Sequence, residues 1–186
     1  MSTPQKPHRM PGDPAKPDML ESMIRVDHAG EYGAVRIYEG QLAVLGQSAD
    51  RADIEHMAEQ ERVHLAKFND LIRANRVRPT ALMPLWHVAG FALGAGTALM
   101  GEKAAHACTV AVEEVIDEHY AEQVAMLDAE GDQPELRDTF EKFRLEELEH
   151  RDTALQKGAE DAPGYEVLKA AVKTGSKLAI WLSKKI

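Results

Sequence analysis

The chain carries one four-residue pattern twice, as Glu61-Arg62-Val63-His64 and as Glu147-Leu148-Glu149-His150. Each is a Glu-x-x-His, and on a helix positions i and i+3 lie one above the other on a single face. A carboxylate and an imidazole placed this way can reach one metal ion. Two such pairs, each joined by a lone inward Glu from another helix, make the ligand set of a carboxylate-bridged dinuclear four-helix bundle. The pattern by itself is weak, since a chain with 8 His and 19 Glu gives about one match by chance. The case therefore depends on where the pairs fall.

Apolar periodicity places them. A first helix is expected from Met19 to Leu45, with Asp18 as N-cap and Glu21 completing a capping box. Its inward stripe is Leu20, Ile24, Asp27, Glu31, Ala34, Tyr38, Leu42 and Leu45. Gly30, Gly33 and Gly40 weaken this helix, a cost that close approach of a neighbouring helix or ligand would offset. A second helix, from Asp50 to Asn75, turns Ile54, Met57, Glu61, His64, Phe68 and Leu71 inward. A third runs from Glu102 to Glu130 and stops at Gly131. There Glu113 is in phase with Val110, Ile116, Tyr120 and Val124, whereas Glu114 falls on a more polar face. A fourth begins at Pro134 and aligns Leu136, Phe140, Phe143, Glu147, His150 and Ala154. The spacing Glu31, Tyr38, Gln41 recurs as Glu113, Tyr120, Gln123. Two similar helical hairpins facing each other would thus build a near-symmetric site.

Composition sets limits. A length of 186 residues suits one domain. The single cysteine, Cys108, excludes a disulfide framework and Cys-based metal sites, and suits a reducing compartment. A net charge of −9 argues against a nucleic-acid partner. Residues 1–18 hold five of the nine prolines and read as a disordered tail, leaving 19–186 as the folded domain. The tail has neither a secretory nor a mitochondrial targeting pattern, so the protein is expected to stay in the compartment where it is made.

Ala81–Gly101 has no formal charge, His87 being neutral. It also contains Pro84, Gly90, Gly94 and Gly96, and follows Arg73, Arg76 and Arg78. The expectation is a broken or re-entrant segment dipping into a membrane interface, with a buried core helix and a true span as the alternatives. Leu82, Leu85, Trp86, Phe91, Leu93 and Leu99 are the candidates for contact with lipid or a lipidic substrate. A last amphipathic helix, Tyr165 to Lys185, carries five lysines on its polar side. It is either a second membrane contact or a helix packed on the bundle with a solvated Lys face.

Four carboxylates and two imidazoles, with no thiolate, suit iron or manganese. Glu61 and Glu147 are expected to bridge two metals, and Glu31 and Glu113 to be terminal. Tyr38 and Tyr120 lie one heptad along, as outer hydrogen-bond partners or ordinary core aromatics. His28, His106 and His119 are left outside the ligand set. An apolar segment favours a lipidic substrate over iron storage.

Several strings are more specific. Val26-Asp27-His28-Ala29-Gly30-Glu31-Tyr32-Gly33-Ala34, Leu82-Met83-Pro84-Leu85-Trp86, the run Phe91 to Leu99, Ala111-Val112-Glu113-Glu114, His119-Tyr120 and Glu147-Leu148-Glu149-His150 resemble the demethoxyubiquinone hydroxylases of coenzyme Q biosynthesis. The resemblance extends from Met19 to the end, with no departure at the six ligand positions. It implies an all-α, ferritin-like bundle with two iron ions. The implied activity is that of a monooxygenase hydroxylating the ring of a demethoxyubiquinol with O2 and electrons from NADH. It further implies His119-Tyr120 as a relay pair, a membrane surface as partner, and peripheral placement on the cytoplasmic face of a bacterial inner membrane. A lipid-binding accessory protein and self-association complete the expected partners. The alternatives are a ferritin-like ferroxidase or peroxidase, and a non-catalytic, metal-stabilised quinone-binding scaffold.

Overall fold

A computed structural model describes residues 16–186, with side chains from Asp18 onward. The described residues form six α-helices and no strand: α1 Lys16–Leu45, α2 Arg51–Asn75, α3 Met83–Leu99, α4 Glu102–Glu130, α5 Pro134–Gln156 and α6 Tyr165–Lys185. Helix α1 starts before Asp18, so this residue sits in the first turn and is not the cap expected for it. An acidic group there still complements the positive end of the helix. The proposed tail lies, up to residue 15, outside the described residues.

Helices α1 and α2 form one hairpin and α4 and α5 a second, and the two make a four-helix bundle. The sequence repeat extends further than the bundle. Helix α3 follows the first hairpin and packs mainly on α1, while α6 follows the second and packs mainly on α4. Two apolar clusters close the ends of the bundle. One gathers Met23, Phe68, Tyr120, Leu127, Phe140 and Phe143; the other gathers Tyr38, Ile54, Met57, Ala58, Ala98 and Ala105.

The segment expected to be broken is one continuous helix, α3. Its glycines are contact points, not breaks. A Cβ on Gly94 would collide with the Ile37 carbonyl oxygen, and one on Gly40 with the backbone of Phe91 and Ala95. A Cβ on Gly90 would come within 2.8 Å of the Gly33 oxygen. Glycine thus lets the backbones of α1 and α3 touch, which repays its helix penalty. Among the described residues no helix is long and apolar enough to cross a membrane.

Most of the α6 lysines turn back onto α4. Lys169 and Lys173 pair with Glu114 at 2.6 and 2.9 Å, and Lys177 pairs with Glu118 at 2.8 Å. These half-exposed pairs contribute at most about 1 kcal/mol each, but they fix which face of α6 meets the bundle. The face left outward carries Leu178 and Trp181, and on α3 Leu85, Val88 and Leu99 are exposed.

The Gly94 contact can be tested by thermal unfolding. Gly94→Ala forces α3 off α1 and lowers stability by about 1–3 kcal/mol. Gly96→Ala, which meets nothing within 4 Å, leaves stability unchanged or raises it by up to about 1 kcal/mol. Equal melting temperatures for the two variants would contradict the packing account.

Candidate metal centre

Each bundle helix delivers its inward acid to the middle layer, between the two apolar end clusters. Glu31 comes from α1, Glu61 and His64 from α2, Glu113 from α4, and Glu147 and His150 from α5; all six are buried. Their ligand atoms form two overlapping groups, each with all atoms within 4.8 Å of one another. The first is Glu31, Glu61, His64 and Glu147; the second is Glu61, Glu113, Glu147 and His150. Glu61 and Glu147 belong to both, the position a bridging carboxylate would take. Phase also separates the adjacent acids: Glu113 faces this layer and Glu114 faces α6.

Both imidazoles turn Nδ1 inward. His64 Nδ1 lies 3.0 Å from Glu147 and 3.4 Å from Glu31, and His150 Nδ1 lies 3.2 Å from Glu61 and 3.1 Å from Glu147. The outer nitrogens are held by residues that the sequence reading missed. His64 Nε2 meets the Glu146 carboxylate at 2.8 Å, and His150 Nε2 meets Gln60 Oε1 at 3.0 Å. The signal for both lay in the repeat, since Gln60 and Glu146 each precede the Glu of a motif. Phe143 stacks on His64 with centroids 4.0 Å apart, which limits rotation of that ring.

The two tyrosines cross between hairpins. Tyr38 of α1 donates to Glu113 of α4 at 3.0 Å, and Tyr120 of α4 donates to Glu31 of α1. Gln41 donates to the Ala105 carbonyl of α4, and Gln123 donates to Asp27 of α1 at 2.9 Å. His119 does not share Tyr120's contact. Its Nε2 lies 3.2 Å from Asp27 and 3.1 Å from Gln123, away from the central acids. His28 pairs with Asn69 and His106 with Asp50.

The donor set fits cations. Neither oxygen of Glu61 has a hydrogen-bond partner, nor has Glu31 Oε2 or His64 Nδ1. Buried carboxylate oxygens left unpaired among four clustered acids are expensive unless something positive lies among them. Oxygen and nitrogen donors without sulfur match first-row divalent metals.

Electrostatics leads to the same requirement. Burial, then repulsion from neighbouring carboxylates, pushes Glu61 and Glu113 well above the ordinary 4.5. Burial also raises Glu31. Glu147 is buried too, but the hydrogen bond from His150 and the His64 ring beside it overcome that and hold it at about 2. Burial alone would lower His64, yet the Glu147 and Glu31 carboxylates facing its Nδ1 push it up to about 12.

An apolar cavity of about 370 Å³ adjoins this layer, lined by α1, α3, α4 and α6. Its wall includes Gly30 and Val112, neighbours in the chain of Glu31 and Glu113, together with Ile37, Ile116, Ala179 and Ile180. The six apolar candidates from the 81–101 segment divide around it. Trp86 and Leu93 line the cavity, and Trp86 Nε1 donates to Ser183 of α6 at 3.1 Å. Phe91 is half-buried beneath the Arg36 guanidinium, 4.9 Å from its ring centroid. Leu85 and Leu99 face outward, and Leu82 precedes α3, half-buried.

The family model described as "Ubiquinone biosynthesis protein COQ7" matches residues 18–183. The chain belongs to the COQ7 family. It is 56% identical over 179 residues to a protein of Rhodospirillum rubrum named 3-demethoxyubiquinol 3-hydroxylase, covering 96% of this chain and 84% of that one. It is 57% identical over 169 residues to the rat NADPH-dependent 3-demethoxyubiquinone 3-hydroxylase, mitochondrial, covering 89% of this chain and 77% of the relative. With the 5-demethoxyubiquinone hydroxylase of Saccharomyces cerevisiae it shares 40% identity over 187 residues, covering 92% and 80%.

The shifts give a pH test. A carboxyl raised on folding stabilises the fold while protonated and loses that contribution as pH climbs through its raised value. Glu31, Glu61 and Glu113 behave so. His64 contributes fully below 6.5 and loses stability upward toward about 12. Glu147 contributes above 4.5 and loses stability only as pH falls toward about 2. Kept in a chelator, the protein should therefore melt lower as pH rises from about 5 to about 8. Saturating divalent metal should reverse the slope, because cations displace those protons. A chelated protein that gains stability over that range would contradict the assignment.

Proposed function

We infer that the protein is a demethoxyubiquinol hydroxylase that converts a ring C–H to C–OH, with two iron ions held by Glu31, Glu61, His64, Glu113, Glu147 and His150. The observation that carries this reading is the apolar cavity beside an acid-rich, cation-fitting layer. A site for iron storage or peroxide removal has no use for a greasy pocket of that size. A prenylated quinol fits one, since such pockets bury apolar ligands with few polar contacts. Membership in the COQ7 family, whose relatives are named as hydroxylases of this substrate, supports the same choice.

Bound iron would supply reductive activation of O2, one oxygen atom going to the ring and the other leaving as water. The chain's own residues do the rest. Tyr38 and Tyr120 hold one oxygen each of Glu113 and Glu31, leaving the other oxygen of each acid to face inward. Glu146 and Gln60 fix the ring orientation of His64 and His150. The walls of α1, α3, α4 and α6 exclude water and align the quinol ring. NADH is the proposed source of the two electrons. His119 rests on Asp27 and Gln123, so only Tyr120 of the suggested relay pair touches a proposed ligand.

The reading includes peripheral attachment to a membrane, on the cytoplasmic face of a bacterial inner membrane. Leu85, Val88 and Leu99 of α3 and Leu178 and Trp181 of α6 are exposed, and Lys184 and Lys185 end α6 beside them. Apolar side chains flanked by cations suit an interface with anionic headgroups.

Iron-loaded protein given demethoxyubiquinol, NADH and ¹⁸O2 should yield a quinol carrying one ¹⁸O atom. Oxygen consumed without label in the quinone would indicate a ferroxidase or peroxidase, and no consumption a scaffold. Glu147→Ala should abolish the labelled product and lower iron content to one ion or fewer. Val88→Glu combined with Trp181→Glu should reduce flotation with anionic phospholipid vesicles while iron content stays normal; unchanged flotation would rule out this surface.

A further inference from the structure

Behind each inward imidazole stands one outer acceptor, and the two differ in chemistry. His64 offers Nδ1 to the acids and leaves Nε2 to the Glu146 carboxylate at 2.8 Å. His150 does the same, but its Nε2 lies 3.0 Å from the Gln60 side-chain oxygen. A neutral imidazole that gives its Nδ1 lone pair to a cation carries its hydrogen on Nε2 and needs an acceptor there. Gln60 therefore turns its carbonyl, not its amino group, toward His150.

Gln60 and Glu146 hold equivalent places in the two halves, each one residue before the motif Glu, and each serves the His of the other half. The remaining inner pairs match: Glu31 with Glu113, Tyr38 with Tyr120, Glu61 with Glu147. The pseudo-twofold is thus kept in geometry and broken in chemistry directly behind the two histidines. The other oxygen of Glu146 faces Lys142 Nζ at 3.6 Å on the solvent side.

We propose that Glu146 and Gln60 are positioning residues that make the two cation positions unequal: the one at His64 binds more tightly and fills before the one at His150. This rests on reading the six residues as ligands. A carboxylate accepting from Nε2–H makes Nδ1 a stronger donor to the metal than an amide carbonyl does, because the hydrogen bond is charge-assisted. Both positions share Glu61 and Glu147, and each adds one Glu held by a tyrosine hydroxyl. Among the hydrogen-bond partners of the two positions the acceptor behind the histidine is the difference that remains, since Phe143, stacked on His64, accepts no bond from its Nε2.

Anaerobic titration of the chelated full-length protein with Co(II), followed by visible absorption and calorimetry, tests it. The wild-type chain should take two Co(II) in sequence, with constants separated about tenfold or more. Glu146→Gln keeps side-chain size and an acceptor oxygen, yet should weaken the tighter constant by about 10–100-fold and merge the two. Gln60→Glu should tighten the weaker one, and the double exchange should restore two separated constants. Melting curves in chelator show whether Glu146→Gln still folds; if it does not, Gln60→Glu alone decides, and no tightening overturns the inference. Two Co(II) bound with equal constants, or constants that neither substitution moves, overturn it and leave the ligand assignment standing. Fewer than two Co(II) per chain, or binding indifferent to His150→Ala, overturns the ligand assignment and this inference with it.

Discussion

Four carboxylates buried from solvent cannot stay ionised in one layer of a helical bundle without positive charge to offset them. Glu31, Glu61, Glu113 and Glu147 are each almost wholly buried, and three of them are pushed toward the protonated form by burial and mutual repulsion. The hydrogen bonds of Tyr38, Tyr120 and His150 relieve part of this cost, but they leave both oxygens of Glu61 unpaired. A buried carboxylate without a partner costs several kcal/mol, so the layer is suited to hold cations.

The duplicated hairpin explains how a short chain builds such a layer. Each half contributes a long helix carrying Glu, Tyr and Gln in one register, a partner helix carrying Glu-x-x-His, and a covering helix laid on the long one. Crossing contacts tie the halves together, so each tyrosine steadies the other half's acid and each outer acceptor serves the other half's imidazole. The covering helices α3 and α6 then line the apolar cavity with α1 and α4. The acid layer and the cavity therefore share the walls of α1 and α4, and this adjacency suits the fold to chemistry on a hydrophobic ring.

Much of this was legible in the sequence because helical phase is a local property. Phase placed Glu61, His64, Glu147 and His150 inward and separated Glu113 from Glu114 without any knowledge of neighbours. What could not be read depends on the partner helix. Gly90 and Gly94 look like helix breakers until the Gly33 and Ile37 carbonyls are seen to occupy the missing side-chain space. Lys169, Lys173 and Lys177 look like a membrane-facing stripe until Glu114 and Glu118 are found opposite them. Glu146 lies beside the inward face of its own helix and gains its role only across the bundle, at His64. Residues that their own helical phase turns inward could be assigned from sequence; residues whose role is set by what the neighbouring helix presents could not.

The central claim is that two Glu-x-x-His pairs from different hairpins form a single two-cation centre bridged by Glu61 and Glu147. Diffraction from iron-loaded crystals at the iron absorption edge tests it most directly. The account predicts two anomalous peaks roughly 3.5–4 Å apart, one bound by His64 and the other by His150, with both bridging carboxylates between them. A single peak, or iron bound away from Glu61 and Glu147, would contradict it.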